Sequence, residues 1–211
     1  TIRGIAVGED SISPNRHPEI SNDEELLDFI ALLRETGGKP VGIKIVVGNP
    51  GAFEALLRRI TARGVDSAPD FVTVDSGDGG TGAAPLSLID NMGLTIEQSL
   101  PSVVNLLEKH GLRERVKVVA SGKLINPVDV AWALCAGADF VQSARGFMLS
   151  LGCIQAMQCN KNTCPTGITT HDRKLQRGLV AANKAKRVAR YARGMHKELE
   201  VIAHSCGVQQ P

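Results

Sequence analysis

From about residue 21 onward the chain alternates short β-branched runs with segments of helical period. Ser21, with Glu24 three residues on, reads as a capping box. Leu26, Leu27, Ile30 and Leu33 follow at helical spacing, and Gly37-Gly38 closes that helix. Residues 41–47 form a β-branched run interrupted only by Lys44, which predicts a buried strand ending at Gly48. The same reading predicts helices over 51–62, 95–110 and 127–136, and strands over 71–75, 116–120 and 139–142. One long helix is expected over roughly 172–205.

Strand, loop and helix therefore repeat four times, and each strand runs into a glycine-bearing loop. A parallel sheet with right-handed crossovers is the expected result. The fold class is α/β of the (β/α)8 TIM-barrel type. Four such units make half of a barrel whose usual length is about 250 residues. An open doubly wound sheet competes with it, but no strand is followed by the G-x-G-x-x-G turn of a dinucleotide fold. The expected organisation is a leading loop over 1–20, βα units over 21–150, a cysteine loop over 151–170, and a C-terminal helix and tail over 171–211.

Composition narrows the classes. Aromatics are 3% of the chain, so the core must be aliphatic, and a formal charge of +2 gives no reason to expect nucleic acid or an anionic membrane as partner. Only the last helix is visibly basic. No apolar stretch reaches the roughly 20 residues needed to span a bilayer. The N-terminus lacks a signal-peptide pattern, and the odd, clustered cysteines do not resemble a secreted disulfide framework. A cytoplasmic location is the default. The chain does not begin with Met and opens in what reads as the middle of a loop, so a partial chain is expected.

Cys153, Cys159 and Cys164 follow a C-x5-C-x4-C spacing that ends in Cys-Pro. No disulfide pairing can use all three. Thiolates converging from one short loop suit iron–sulfur or zinc, and a terminal Cys-Pro recurs in iron–sulfur loops. Three thiolates match a three-iron cluster with one protein ligand per iron. A zinc site would recruit His171 to make Cys3His. Spacing alone leaves both open, together with three unliganded thiols.

Two further loops, Ser121-Gly122-Lys123 and Ser143-Ala144-Arg145-Gly146, follow the last two predicted strands. Barrels often hold phosphate there, with help from a helix N-terminus. Either loop alone is more simply an ordinary βα turn; the pair at that position favours phosphate. Ser76-Gly77-Asp78-Gly79-Gly80-Thr81-Gly82 offers a side-chain-poor backbone able to lie along a planar ring. Lys44, inside a buried run, must either pair with a carboxylate such as Asp75 or Asp78, or face a ligand.

Lys44 in its Gly-Ile-Lys-Ile-Val-Val setting, the glycine loop from Ser76 through Ala83, and the segment from Gly152 to Pro165 resemble the synthase domain of glutamate synthases. Ser11-Ile12-Ser13-Pro14 with His17-Pro18 fits the same family. The similarity runs over nearly the whole chain. It implies a (β/α)8 barrel binding FMN beside a [3Fe-4S] cluster, where 2-iminoglutarate from 2-oxoglutarate and ammonia is reduced to L-glutamate. By that resemblance Cys153, Cys159 and Cys164 would ligate the cluster. Ser121, Gly122 and Lys123, with Ala144 and Arg145, would hold the FMN phosphate. Ser76, Gly79 and Gly80 would border the flavin, and Lys44 and Asp78 would serve the reacting centre. Lys123 and Arg145 stand where many family members carry smaller residues. The resemblance also implies an electron donor, either a ferredoxin or an NADPH-oxidising partner subunit. It further implies that this chain is the C-terminal half of the barrel, inactive by itself and prone to self-association through its open sheet edges.

Overall fold

In the computed structural model the described residues are 6, 8–9, 17–78, 85 and 87–209. The sequence readings at Ser11–Pro14, and those at Gly79, Gly80 and the rest of that glycine loop, lie outside them.

Helix α1 (Asp23–Gly37) begins one residue later than the pattern suggested. Asn22, not Ser21, is the cap: its side-chain oxygen accepts from the Glu25 N–H at 3.0 Å. The Glu25 carboxylate in turn accepts from the Ser21 N–H at 2.7 Å. Two adjacent residues able to cap, followed by two adjacent glutamates, let the box slip by one position. Strand β1 (Gly42–Val46) leads through Asn49 into α2 (Pro50–Arg63), with proline at the first helical position, where no N–H is missed. A 3-10 turn (Val65–Ser67) precedes β2 (Phe71–Asp75), and α3 (Ile96–Lys109) follows. Then come β3 (Lys117–Ser121), α4 (Pro127–Cys135), β4 (Phe140–Gln142) and α5 (Ala144–Leu151).

The four strands are parallel and lie in chain order, β1-β2-β3-β4. Register decides which residues share a face. Ile43, Val72 and Val118 form one row, and Ile45, Val74, Ala120 and Val141 another, all turned toward the helices. Val72, Val74, Val118 and Ala120 are at most 1% exposed there, packed with Leu57, Ile60, Leu100, Val103 and Leu107. Each such leucine or isoleucine contributes roughly 2–3 kcal/mol through burial. The opposite face carries Lys44, Val46, Thr73, Asp75, Val119, Ser121 and Gln142. On that face Val46 is 53% and Phe140 61% exposed. A parallel sheet normally covers both faces, so this is the inner wall of an open half-barrel.

Two features depart from the sequence reading. Helix α5 forms directly after the Ser143 turn, where the pattern showed only a loop. The long C-terminal helix is broken: α6 (Arg173–Gln176) stops, and α7 (Ala181–Ser205) starts after residues 177–180. The break falls at Gly178, whose N–H donates to the Leu175 carbonyl and where a Cβ would crowd the Thr166 carbonyl. Helix α7 then packs back across α4 and α5.

Candidate active site

At the C-terminal ends of the strands lies a cleft of about 490 Å³. Its wall contains Lys44, Asp75, Asp78, Ser121, Gly122 and Lys123 from the first three units. Ala144 and Arg145 from the start of α5, and all three loop cysteines, complete it. Residues separated by more than 100 positions thus meet on one surface, as expected for a barrel that places its ligands at this end.

Lys44 pairs with a carboxylate, the first of the two roles its position allowed, and it also lines the cleft. Its Nζ lies 3.1 Å from Asp75 Oδ2, and its side chain is 66% exposed on the cleft side. Asp75 Oδ1 accepts from the Ser121 hydroxyl at 3.1 Å. A Lys44–Asp75–Ser121 chain therefore crosses three strands and holds the ammonium at the mouth of the cleft.

Asp78 is pinned from behind. Its Oδ2 accepts from the Ser76 hydroxyl at 2.7 Å and from the Ile96 N–H at 3.0 Å, at the start of α3. The positive end of that helix favours the carboxylate. Ser76 does not line the cleft. It is 7% exposed, its N–H donates to the Ser121 carbonyl, and it lies directly against Gly122. A Cβ on Gly122 would run into the Ser76 side chain, so only glycine lets the second and third loops close together.

Lys123 departs from its expected part. It adopts φ +44°, unusual for a residue with a side chain, and its Nζ pairs with Asp90 at 2.7 Å. It lines the cleft while its charge is paired within the 87–93 turn. The second candidate phosphate loop is the N-terminus of α5, where the first N–H groups have no intrahelical acceptor. Tyr191, which the sequence reading passed over, locks both loops. Its hydroxyl donates to the Ile125 carbonyl at 2.6 Å and lies 3.1 Å from the Ser143 hydroxyl. Its ring meets Phe147 edge-on at 5.0 Å, and Gly146 leaves the space it occupies.

The cysteine loop is wound tightly. Gln155, Met157 and Asn162 all have left-handed backbones without being glycine, each at a cost of order 1 kcal/mol. Asn162 is held by the Thr170 hydroxyl, which donates to its carbonyl at 2.6 Å, and by the His171 N–H, which donates to its side chain at 2.6 Å. The Gln155 N–H donates to Cys153 Sγ at 3.4 Å. The hydroxyl of Thr166 and the N–H groups of Thr169 and Thr166 lower the Cys164 thiol from 9.0 to about 6, against a smaller opposing effect of burial. Cys164 is thus largely thiolate at neutral pH, the form that binds metal. Thr169 Oγ1, also on the cleft wall, is buried and makes no hydrogen bond of good geometry among the described residues, though it lies close enough to the Cys164 sulfur to help lower that thiol. No three Cys, His, Asp or Glu side chains among the described residues converge on a single ion.

The profile described as the conserved region in glutamate synthase matches residues 1–209. The chain belongs to the glutamate synthase family. A glutamate synthase large subunit-like protein, YerD of Bacillus subtilis, is 46% identical over 210 residues, covering all of this chain and 40% of that protein. An archaeal glutamate synthase [NADPH] of Methanocaldococcus jannaschii is 33% identical over 209 residues, covering 98% of this chain and 40% of that protein. The chain thus spans about two fifths of these relatives' length. Among solved structures, an L230A mutant flavocytochrome b2 with benzoylformate superposes with a TM-score of 0.53 at 18% identity, over 87% of this chain and 35% of that one. This likeness bears on the fold alone and agrees with a segment of a (β/α) barrel. No helix among the described residues is long and apolar enough to cross a membrane.

Proposed function

We propose that this chain supplies the C-terminal half of a glutamate synthase domain that reduces 2-iminoglutarate, formed from 2-oxoglutarate and ammonia, to L-glutamate. The observation that carries the reading is the single cleft onto which Lys44, two phosphate-type loops and three cysteines converge. When bound, FMN supplies hydride chemistry and a [3Fe-4S] cluster supplies single-electron relay.

The chain's own residues then divide the work. The backbone at Ser121–Lys123 and the first turn of α5 receive the FMN phosphate, with Tyr191 fixing their spacing from behind. Cys153, Cys159 and Cys164 serve as cluster ligands, and Cys164 is already poised as thiolate. Lys44, aimed by Asp75, offers its ammonium to a carboxylate of the dicarboxylate substrate. Asp78, fixed by Ser76 and α3, borders the same space. The electron donor, a ferredoxin or an NADPH-oxidising subunit, stays part of the proposal.

The test uses the full-length protein that contains this chain. Purified protein should be coloured, carry flavin, iron and sulfide, and form glutamate from 2-oxoglutarate with glutamine or ammonia and a reductant. Flavin and iron without glutamate formation would point instead to a barrel oxidoreductase with another substrate. One zinc per chain in a colourless protein would overturn the reading in favour of a metal-braced module.

A further inference from the structure

The 87–93 turn is held downstream by its backbone and in its middle by one ion pair. The Leu94 N–H donates to the Val47 carbonyl at 2.8 Å, and the Leu94 carbonyl accepts from the Gly77 N–H at 2.9 Å. Gly77 and Gly93 let the backbones close there. A Cβ on Gly77 would meet the Met92 carbonyl, and one on Gly93 the Val46 side chain. The turn is thus fixed just beyond the ends of β1 and β2. Among the described residues, every hydrogen bond of residues 87–92 stays within the segment that starts at Pro85. Their one polar tie to another element is the pair between Asp90 Oδ1 and Lys123 Nζ, at 2.7 Å, which reaches the loop after β3. Both members have left-handed backbones without being glycine, Asp90 at φ +62° and Lys123 at φ +44°. Such residues persist only where their surroundings hold them, and they gather at ligand clamps and switches.

We propose that Asp90 is a positioning residue for Lys123, and that Lys123 turns from Asp90 to the phosphate of a flavin seated on the loops after β3 and β4, releasing the 87–93 turn. This rests on reading those two loops as the FMN phosphate site. Lys123 shares the cleft wall with Ser121, Gly122 and Ala144, the residues of that site. The two members of its pair with Asp90 are 39% and 49% exposed, and exposed pairs of single charges are weak. A phosphate dianion carries more charge and takes stronger, charge-assisted bonds. The flexible stem of lysine lets the ammonium swing while the backbone stays in place. The Asp90 carboxylate, left facing the same dianion, is then repelled. A flavin without phosphate has no group to make this exchange. Seating of the phosphate is thereby coupled to a turn that follows Asp78 and the glycine loop in the chain.

The experiment measures binding and exchange, so it does not depend on turnover. Full-length protein containing this chain is stripped of flavin and titrated with FMN and with riboflavin, followed by flavin fluorescence. Asp90→Asn keeps a residue suited to the left-handed backbone. It should bind FMN at least about threefold more tightly, the scale of a competing exposed pair, with riboflavin affinity unchanged. Lys123→Gln should bind FMN roughly tenfold more weakly, and adding Asp90→Asn to it should recover less than about twofold. A merely structural clasp gives the opposite sign, since loosening the turn would weaken FMN and riboflavin alike. Hydrogen exchange supplies the second readout. FMN, but not riboflavin, should speed exchange of the Leu88, Ile89 and Asn91 amides several-fold. FMN affinity in Asp90→Asn no higher than in the unaltered protein, or a turn that exchanges no faster with FMN, would overturn the inference and leave the flavin reading standing. An unaltered protein that binds riboflavin as tightly as FMN, or binds neither, would remove the phosphate reading and the inference together.

Discussion

The hydroxyl of Tyr191 donates to the Ile125 carbonyl at 2.6 Å, tying a C-terminal helix to the turn that follows β3. The same oxygen lies 3.1 Å from the Ser143 hydroxyl at the head of α5. One phenol thus sets the distance between two loops that belong to different βα units. Tyr191→Phe keeps the ring against Phe147 but strips the half-buried Ile125 carbonyl of its partner. A loss of about 1–2 kcal/mol is expected in urea unfolding. Flavin affinity of the full-length protein should fall several-fold, read by flavin fluorescence.

Lys44 and Asp75 should behave as a unit. Lys44→Gln is expected to raise the KM for 2-oxoglutarate in the full-length enzyme by at least about tenfold, the scale of a lost charge-assisted bond. Asp75→Asn removes the carboxylate that aims the lysine, and the double variant should be little worse than the singles. Additive losses in steady-state kinetics would show that the two act independently.

Cys164 should titrate early. With its thiol lowered to about 6, iodoacetamide modification of the metal-free protein should reach half its maximal rate near that pH. Thr166→Val removes the largest lowering influence and should move the midpoint upward. The linkage has a definite sign, since the folded pKa lies below the unfolded one. The thiolate's stabilisation is complete above the ordinary thiol range and is lost as pH falls through about 6.

At the opposite end of the sheet, Asp70 joins three elements. Its Oδ2 accepts from the Val41 N–H at 2.7 Å and from Arg34 at 3.1 Å, and its Oδ1 from Arg115 at 2.8 Å. Burial pushes its pKa up, but these donors together outweigh it and hold the carboxyl below 3.8. Its contribution is therefore present above the ordinary carboxylate range and disappears as pH falls through the lowered value. Asp70→Asn should cost about 1–3 kcal/mol at pH 7, and the gap from wild type should shrink in strongly acidic denaturation curves.

The 211-residue chain by itself should associate. Val46 and Phe140 are more than half exposed on a sheet face that a closed barrel would cover. Among the described residues, β1 and β4 each have an unpaired edge. Sedimentation should show dimers or larger species, and Phe140→Lys should shift them toward monomer. A stable, well-folded monomer of the unaltered chain would contradict this.

The strand–helix alternation was legible because β-branched runs and helical periods differ so clearly, and the strand over 71–75 falls where it was expected. The candidate residues that meet on the cleft wall were legible where chemistry is rare in sequence, as with three cysteines in one loop or a lysine inside a strand. What escaped depended on neighbours distant in the chain. Helix α5 is eight residues long, too short for its period to stand out from the turn before it. The break near Gly178 falls where its backbone turns back onto Leu175 and where a side chain would crowd the Thr166 carbonyl. The charge on Lys123 is taken by Asp90, a residue 33 positions away that carried no motif. Ser76 looked like a ligand contact, but its hydroxyl is used to hold Asp78.

Strand order in this sheet equals chain order, so each unit finds its partner in the unit made just before it. Assembly can therefore proceed vectorially from the N-terminal side as the polypeptide emerges, with only short loops to close at each step. Helix α7 is the exception, returning over α4 and α5 after the cysteine loop is already in place. Its docking must therefore wait for a segment made well after the helices it covers.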